Sequence, residues 1–186
     1  MLKSIRKSRQ SGFTLVELGI VLALIGIGLF FAISKMQETG NTSRAQNAAS
    51  EISTTITNLQ RFYGTASAFP ATVTAADMIN NRLVPDKWVN RTVTPNTLQG
   101  PFGTAPTVAQ FAATAPGNTE ANITLAGVPS AICPEMVRSL SDGVRTVSVN
   151  GVEVKSLNGT LNFNTLGTNC NQAGGIVTVV LRFQKA

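Results

Sequence analysis

The most prominent feature of the chain is an apolar run near its start, Phe13 to Ile33, in which only Thr14 and Glu17 are polar among 21 residues. A helix of that length, at about 1.5 Å per residue, spans roughly 30 Å and crosses the hydrocarbon core of a bilayer. Four of the first nine residues are basic, whereas only Lys35 closely follows the run, so the positive-inside rule orients the N-terminus toward the cytoplasm. No small-residue cleavage site of the A-x-A kind closes the run, which predicts that the segment is retained.

A second pattern follows the apolar run and predicts an amphipathic helix that continues to about Phe62. Glycine, asparagine and threonine are weak helix formers, so we expect a kink or interruption at Gly40, Asn41 and Thr42. The small alanines of the apolar stripe favour close packing of this helix against a sheet. The stripe consists of residues at three- and four-residue spacing: Ala45, Ala48, Ala49, Ile52, Ile56, Leu59 and Tyr63.

The middle of the chain, residues 64–128, is rich in Thr, Ala, Pro, Gly and Asn. Six prolines interrupt it, so we expect a loop-rich segment. Within it, Thr74 is a suitable N-cap for a short helix from Ala75 to Asn81. Residues 88–89 and 91–93 are candidates for a strand because they contain β-branched and aromatic side chains.

The C-terminal third carries the clearest strand pattern. Ser130 is the predicted N-cap of a helix from Ala131 to Leu140. Alternating valines then surround Asn150-Gly151, a residue pair typical of a type I′ hairpin. Residues 159–163 add a predicted short strand, and Ile176 to Phe183 a strong final strand. These elements predict an α+β fold, in which a long N-terminal helix, first transmembrane and then amphipathic, packs on an antiparallel sheet.

Composition narrows the possible function classes. The formal net charge is +6, but four of the fifteen basic residues lie before the apolar run and the others are scattered, which argues against a nucleic-acid partner. The chain has no histidine, and Asp77, Asp86 and Asp142 are isolated, so no serine or threonine has a side chain to activate it. The sequence therefore predicts a protein that is not an enzyme, with no catalytic residue, no metal site and no cofactor.

Glu17 is the exceptional residue of the apolar run. An ionised carboxylate buried in an apolar environment costs at least a few kcal/mol unless it has a partner. One interpretation is that it only reaches the cytoplasmic interface. The other is that it pairs with a new α-ammonium, which would exist if the chain were cut just before Phe13 and a second subunit packed alongside.

The segment Ser11-Gly12-Phe13-Thr14-Leu15-Val16-Glu17-Leu18, between a basic leader and the apolar run, resembles the prepilin motif of type IV pilins and type II secretion pseudopilins. The resemblance implies that a prepilin peptidase cuts after Gly12 and N-methylates Phe13. It also implies that Glu17 neutralises the N-terminus of a neighbouring subunit when a homo-oligomeric helical filament assembles on an inner-membrane platform. The expected location is the inner membrane of a Gram-negative bacterium, followed by an extracellular pilus.

The two cysteines, Cys133 and Cys170, do not form a CxxC pair, which argues against zinc or thiol redox chemistry. In an exported domain they are predicted to form one disulfide, and the alternative is two unlinked buried thiols. The positions of the two cysteines and the Val149-Asn150-Gly151 turn resemble those of the larger type IVb pilins, including the PilS-like pilins of conjugative thin pili. The short leader and Phe13 as first mature residue are more typical of type IVa pilins and pseudopilins.

These observations predict a leader at 1–12, a transmembrane assembly helix at 13–34, an amphipathic helix at 35–63 and a globular head at 64–186. The leading hypothesis is a structural pilus subunit. A pseudopilin or minor pilin is the nearest alternative, although no carboxylate follows Glu153 to build the calcium site expected of a major pseudopilin. A membrane-anchored module that binds DNA or glycans is the other alternative. Its candidate surface contains a tryptophan and three cations: Arg82, Lys87, Trp88 and Arg91.

Overall fold

The computed structural model describes residues 15–110 and 119–185. It begins with one long helix, α1 (Leu15–Phe62), which confirms the predicted end near Phe62. The expected interruption at Gly40, Asn41 and Thr42 is wrong, because these residues are helical. They nevertheless lie at a division of the chain into two compact units, which meet in sequence at Gly40 and Asn41. Weak helix propensity is therefore overridden here by the strong helix formers on both sides.

The second unit, hereafter the head, is built around a six-stranded antiparallel sheet in the order β1-β4-β5-β8-β6-β7. A separate ribbon pairs β2 with β3. The strands are β1 (Thr72–Val73), β2 (Val89–Asn90), β3 (Thr97–Leu98), β4 (Thr107–Gln110), β5 (Glu120–Pro129), β6 (Thr146–Val149), β7 (Val152–Lys155) and β8 (Ile176–Gln184). The helices of the head, besides the end of α1, are α2 (Ala75–Asn80), α3 (Cys133–Leu140) and α4 (Phe163–Cys170).

The core of the head lies between α1 and one face of this sheet. The alanine and isoleucine stripe of α1 is buried, with Ala45, Ile52 and Leu59 fully inaccessible. The inward positions of β5 and β8 alternate with polar outward positions, as expected for a sheet that covers a core on one face. The end of α1 is also tied to the last strand, because Gln60 Nε2 donates to the Gln184 carbonyl at 2.6 Å.

The structure confirms the predicted helix α2, the final strand and the two strands of the hairpin. Thr74 caps α2 through a reciprocal capping box with Asp77. The final strand forms as β8, and the predicted hairpin joins β6 to β7. In its turn, Asn150 and Gly151 both have positive φ, as a type I′ turn requires.

The loop-rich interpretation of residues 64–128 is wrong at its end. The longest strand, β5, begins at Glu120 and occupies a central place in the sheet. The alternation of apolar and polar residues in β5 extends over only a few positions of the sequence. A register shift between Leu125 and Val128, where Gly127 has a φ of 75°, interrupts it. The expected strand at residues 91–93 is also absent, since β2 ends at Asn90.

Two predictions around the cysteines need correction. Ser130 does not cap α3, which begins at Cys133 without a side-chain cap; the Ser130 backbone N–H donates instead to Gly175. Residues 159–163 do not form a strand, because only one bridge, between Lys155 and Leu161, forms there. Asn162 caps α4 instead, through its side-chain oxygen and the Thr165 N–H at 3.1 Å.

Candidate assembly site

The first part of α1 carries the candidate assembly residues. Leu15–Ala32 has a mean hydropathy of 2.5 and is long and apolar enough to cross a membrane, and none of it is buried. Leu15 and Phe30, for example, are 88% and 69% exposed. Glu17 lies in the first helical turn and is exposed. The predicted cleavage and methylation residues, Gly12 and Phe13, lie outside the described residues.

This arrangement has one clear chemical consequence. An exposed apolar helix is stable only when lipid or other protein covers it. Glu17 carries the only formal charge of the span, so a cover that excludes water is favoured where it brings a positive group or hydrogen-bond donors near this carboxylate. The helix can therefore lie in a membrane or pack against similar helices, and Glu17 restricts which packing is favourable.

The predicted disulfide is present. Cys133, the first residue of α3, is bonded to Cys170, the last residue of α4. Both cysteines are almost completely buried. The bond therefore joins two helices, of which the sequence analysis predicted only the first. The reason is that residues 163–170 fold as α4, which moves the second cysteine into a helix.

The hypothesis of a stacking surface around Trp88 is wrong. Trp88 is only 2% exposed and belongs to the core of the head. Its Nε1–H donates to Glu51 Oε2 at 2.6 Å, and the other carboxylate oxygen of Glu51 lies 2.5 Å from Lys87 Nζ. Arg91 pairs with Asp86 at 2.7 Å. The indole face is thus unavailable to a base or a sugar, and two of the neighbouring cations already have carboxylate partners.

Glu51 should stabilise the head through Trp88. Because Glu51→Ala leaves a buried indole N–H without its acceptor, we expect a loss of about 1 to 3 kcal/mol in the free energy of unfolding. Glu51→Gln retains an acceptor and should lose less. Trp88 is the only tryptophan, so its fluorescence during denaturation reports directly on this site. Equal stability of wild type and Glu51→Ala would show that the hydrogen bond contributes nothing.

Two of the three isolated aspartates, Asp77 and Asp86, have local structural partners. Asp77 accepts hydrogen bonds from the side chain and backbone of Thr74, and these bonds lower the pKa of the Asp77 carboxyl below its ordinary value. Asp86 pairs with Arg91. Across the described ranges, 15–110 and 119–185, no group of three or more His, Cys, Asp or Glu side chains is placed to hold a metal ion.

A long helix whose second half packs on an antiparallel sheet, with a disulfide between two short C-terminal helices, defines a pilin fold. Solved structures of type IV pilins are similar to this chain. A type IVb pilin from Salmonella typhi has 19% identity and a TM-score of 0.60, and the match covers 75% of this chain and 99% of that chain. TcpA, a type IV pilin from Vibrio cholerae El Tor biotype, has 20% identity and a TM-score of 0.52, with 77% and 98% coverage.

Family models identify the chain more specifically. The model described as PilS N terminal matches residues 42–183, and the prokaryotic N-terminal methylation motif matches residues 7–33. A comparison with curated protein sequences gave no match. The chain belongs to the PilS family and is a type IV pilin of the IVb-like group. It is thus a pilus subunit, in a family of structural proteins without enzymatic activity.

Proposed function

We propose that this pilin is made as a precursor and polymerises through α1. Residues 1–12 are the leader, 13–34 the transmembrane and assembly helix, 35–63 its amphipathic continuation, which enters the head, and 64–186 the globular remainder of the head. The observation that carries the proposal is that none of the apolar span Leu15–Ala32 is buried, within a segment that matches a methylation motif. Lipid covers this helix before assembly, and the same helices of neighbouring copies cover it in the filament.

Processing of the precursor makes packing of α1 in the filament possible. Prepilin peptidase cuts after Gly12 and methylates the new N-terminus at Phe13. The resulting ammonium is two residues before α1 in the sequence, and in the filament a carboxylate in the first helical turn of an adjoining copy neutralises it. Glu17 lies in that turn, and pairing the two charges removes most of the cost of burying either one. Cleavage therefore has to precede assembly, because it creates the ammonium that pairs with Glu17.

The partners follow from this sequence of events. They are prepilin peptidase, an assembly platform in the inner membrane and further copies of the same chain. The subunit resides in the inner membrane of a Gram-negative cell until it enters an extracellular pilus. The head contributes the filament surface, since its core is already complete without a partner.

Intact-mass analysis tests the processing step. Subunits recovered from sheared filaments should begin at N-methyl-Phe13, because an uncut leader keeps four charged residues beside the helix that must be buried. A Gly12→Val variant, with a branched side chain at the cut, should accumulate uncut in the membrane. Assembled filaments that still contain Met1 would contradict the proposal.

A further inference from the structure

A groove of about 700 Å³ lies on the head, and its lining contains none of the residues proposed for assembly. Its volume is within the range of small-molecule binding sites. One side is formed by α3 and the turn that follows it, and the other by the segment from the end of β7 to the start of α4. The lining includes four charged side chains, a hydroxyl and an aromatic ring: Glu135, Arg138, Asp142, Lys155, Thr160 and Phe163.

The two sides of this groove are held together. The Lys155 ammonium, at the end of β7, donates to the carbonyl oxygens of Ser141 and Val144, the latter at 2.8 Å. Within the second side, the Asn162 N–H donates to the Val154 carbonyl at 2.8 Å and closes the segment between β7 and α4. The disulfide joins α3 to α4 as well. A site fixed in this way loses little conformational entropy when a ligand binds.

The groove also presents groups with unused bonding capacity. In the part of the chain that the structure describes, the side chains of Glu135, Arg138 and Asp142 make no hydrogen bond or ion pair. Phe163 is 62% exposed although it lies beside a well-packed core. Its exposure follows from its position directly after the N-cap Asn162, where the helix begins at the surface. The carboxylates of Glu135 and Asp142, the guanidinium of Arg138 and the exposed ring of Phe163 therefore border one concave surface.

We propose that this groove binds a neutral saccharide. The carboxylates of Glu135 and Asp142 can accept hydrogen bonds from sugar hydroxyls, and the Arg138 guanidinium can donate to ring or hydroxyl oxygens. The exposed face of Phe163 matches the apolar C–H face of a pyranose ring. This combination of one apolar face and many hydroxyls is what distinguishes a sugar from a peptide or a lipid.

Charge gives an anionic ligand no advantage in the groove. The lining carries two carboxylates, Glu135 and Asp142, and two cations, Arg138 and Lys155, of which Lys155 already donates to two backbone carbonyls. These formal charges cancel, so an acidic sugar, a nucleic acid or a phosphate gains no net electrostatic attraction, whereas a neutral sugar needs none. The binding does not require filament assembly, so it can be tested separately from the proposed function.

The test uses the full-length chain in a zwitterionic detergent without a sugar headgroup, which would itself compete. An array of neutral and acidic di- and trisaccharides selects a ligand, and titration with that sugar measures affinity by chemical-shift changes. We expect a neutral sugar to bind, Phe163→Ala to weaken it by about tenfold or more, and Glu135→Gln to weaken it too. Leu157→Ala, at an exposed residue of the same segment outside the groove, should bind normally.

Three results would overturn the proposal. The first is no shift change with any neutral sugar at millimolar concentration. The second is a preference for acidic sugars. The third is an equal loss of affinity in Leu157→Ala and Phe163→Ala while both variants remain folded by circular dichroism. If sugar binding is absent and Phe163→Ala instead reduces filament yield, the groove receives a second copy of this chain.

Discussion

Replacing Cys133 and Cys170 together should lower the free energy of unfolding of the head by about 3 to 4 kcal/mol. The bond closes a loop with a sequence separation of 37, and a loop of a few tens of residues gains that much when its ends are linked in the unfolded chain. The measurement is chemical denaturation of the full-length protein in detergent, followed by Trp88 fluorescence. Pilus yield should fall with stability, because unfolded heads are degraded before assembly.

Two double variants distinguish the stability lost with the bond from the stability lost through the side chains that replace the sulfurs. Both sulfurs are buried, so a double serine variant also buries two hydroxyls, whereas a double alanine variant leaves only a small cavity. We expect both variants to be destabilised, serine more than alanine. Reducing the wild type should approach the alanine result. Labelling of both cysteines as free thiols in folded, exported protein would show that the bridge does not form in the cell.

The same bond should affect the groove on the head. Cys170 ends the helix that Phe163 begins, and Cys133 begins the helix that carries Glu135. Without the bond, the two sides of the groove lose their covalent link and keep the hydrogen bonds of Lys155 to the Ser141 and Val144 carbonyls. A folded alanine variant should therefore bind a sugar more weakly than wild type, although it keeps every lining side chain.

Elements that depend on interactions between residues close in the sequence could be predicted from the sequence. The capped helix α2 depends on Thr74 and Asp77, three residues apart, and the hairpin depends on Asn150-Gly151. The end of α1 follows from its own stripe of apolar residues. The disulfide was also predictable, because two cysteines in an exported domain have few explanations. Glu17 could be singled out as a carboxylate in an apolar run, and its role in assembly stays a prediction.

Elements whose cause is distant could not be predicted. Trp88 is buried because Glu51, 37 residues earlier, accepts its indole hydrogen bond. Helix α4 contains weak helix formers throughout except Leu166, and it forms because Asn162 caps it, Leu166 is buried and Cys170 is bonded. Since residues 159–163 were assigned to a strand, the exposed position of Phe163 and the groove beside it were also missed.

Replacing Glu17 by glutamine should prevent filament assembly and leave processing intact. Glutamine keeps the shape of the side chain and removes its charge, so membrane insertion and cleavage after Gly12 need not change. Packing the helix against other copies then leaves the methylated ammonium of Phe13 buried without its counter-ion. Loss of one member of a buried ion pair costs about 3 to 5 kcal/mol, which lowers an association constant by about two orders of magnitude or more.

The measurement is the ratio of subunit in sheared filaments to subunit in the membrane, with the processed fraction determined on the same samples. Glu17→Asp is the matched control, because it keeps the charge on a shorter side chain and should assemble better than Glu17→Gln. Co-expression with wild type should partly rescue incorporation, since the variant still offers its own N-terminus to a wild-type carboxylate. Normal filament yield from fully processed Glu17→Gln would show that docking does not need the charge. Glu17 would then be a residue that only reaches the membrane interface, and the apolar surface of Leu15–Ala32 alone would drive assembly.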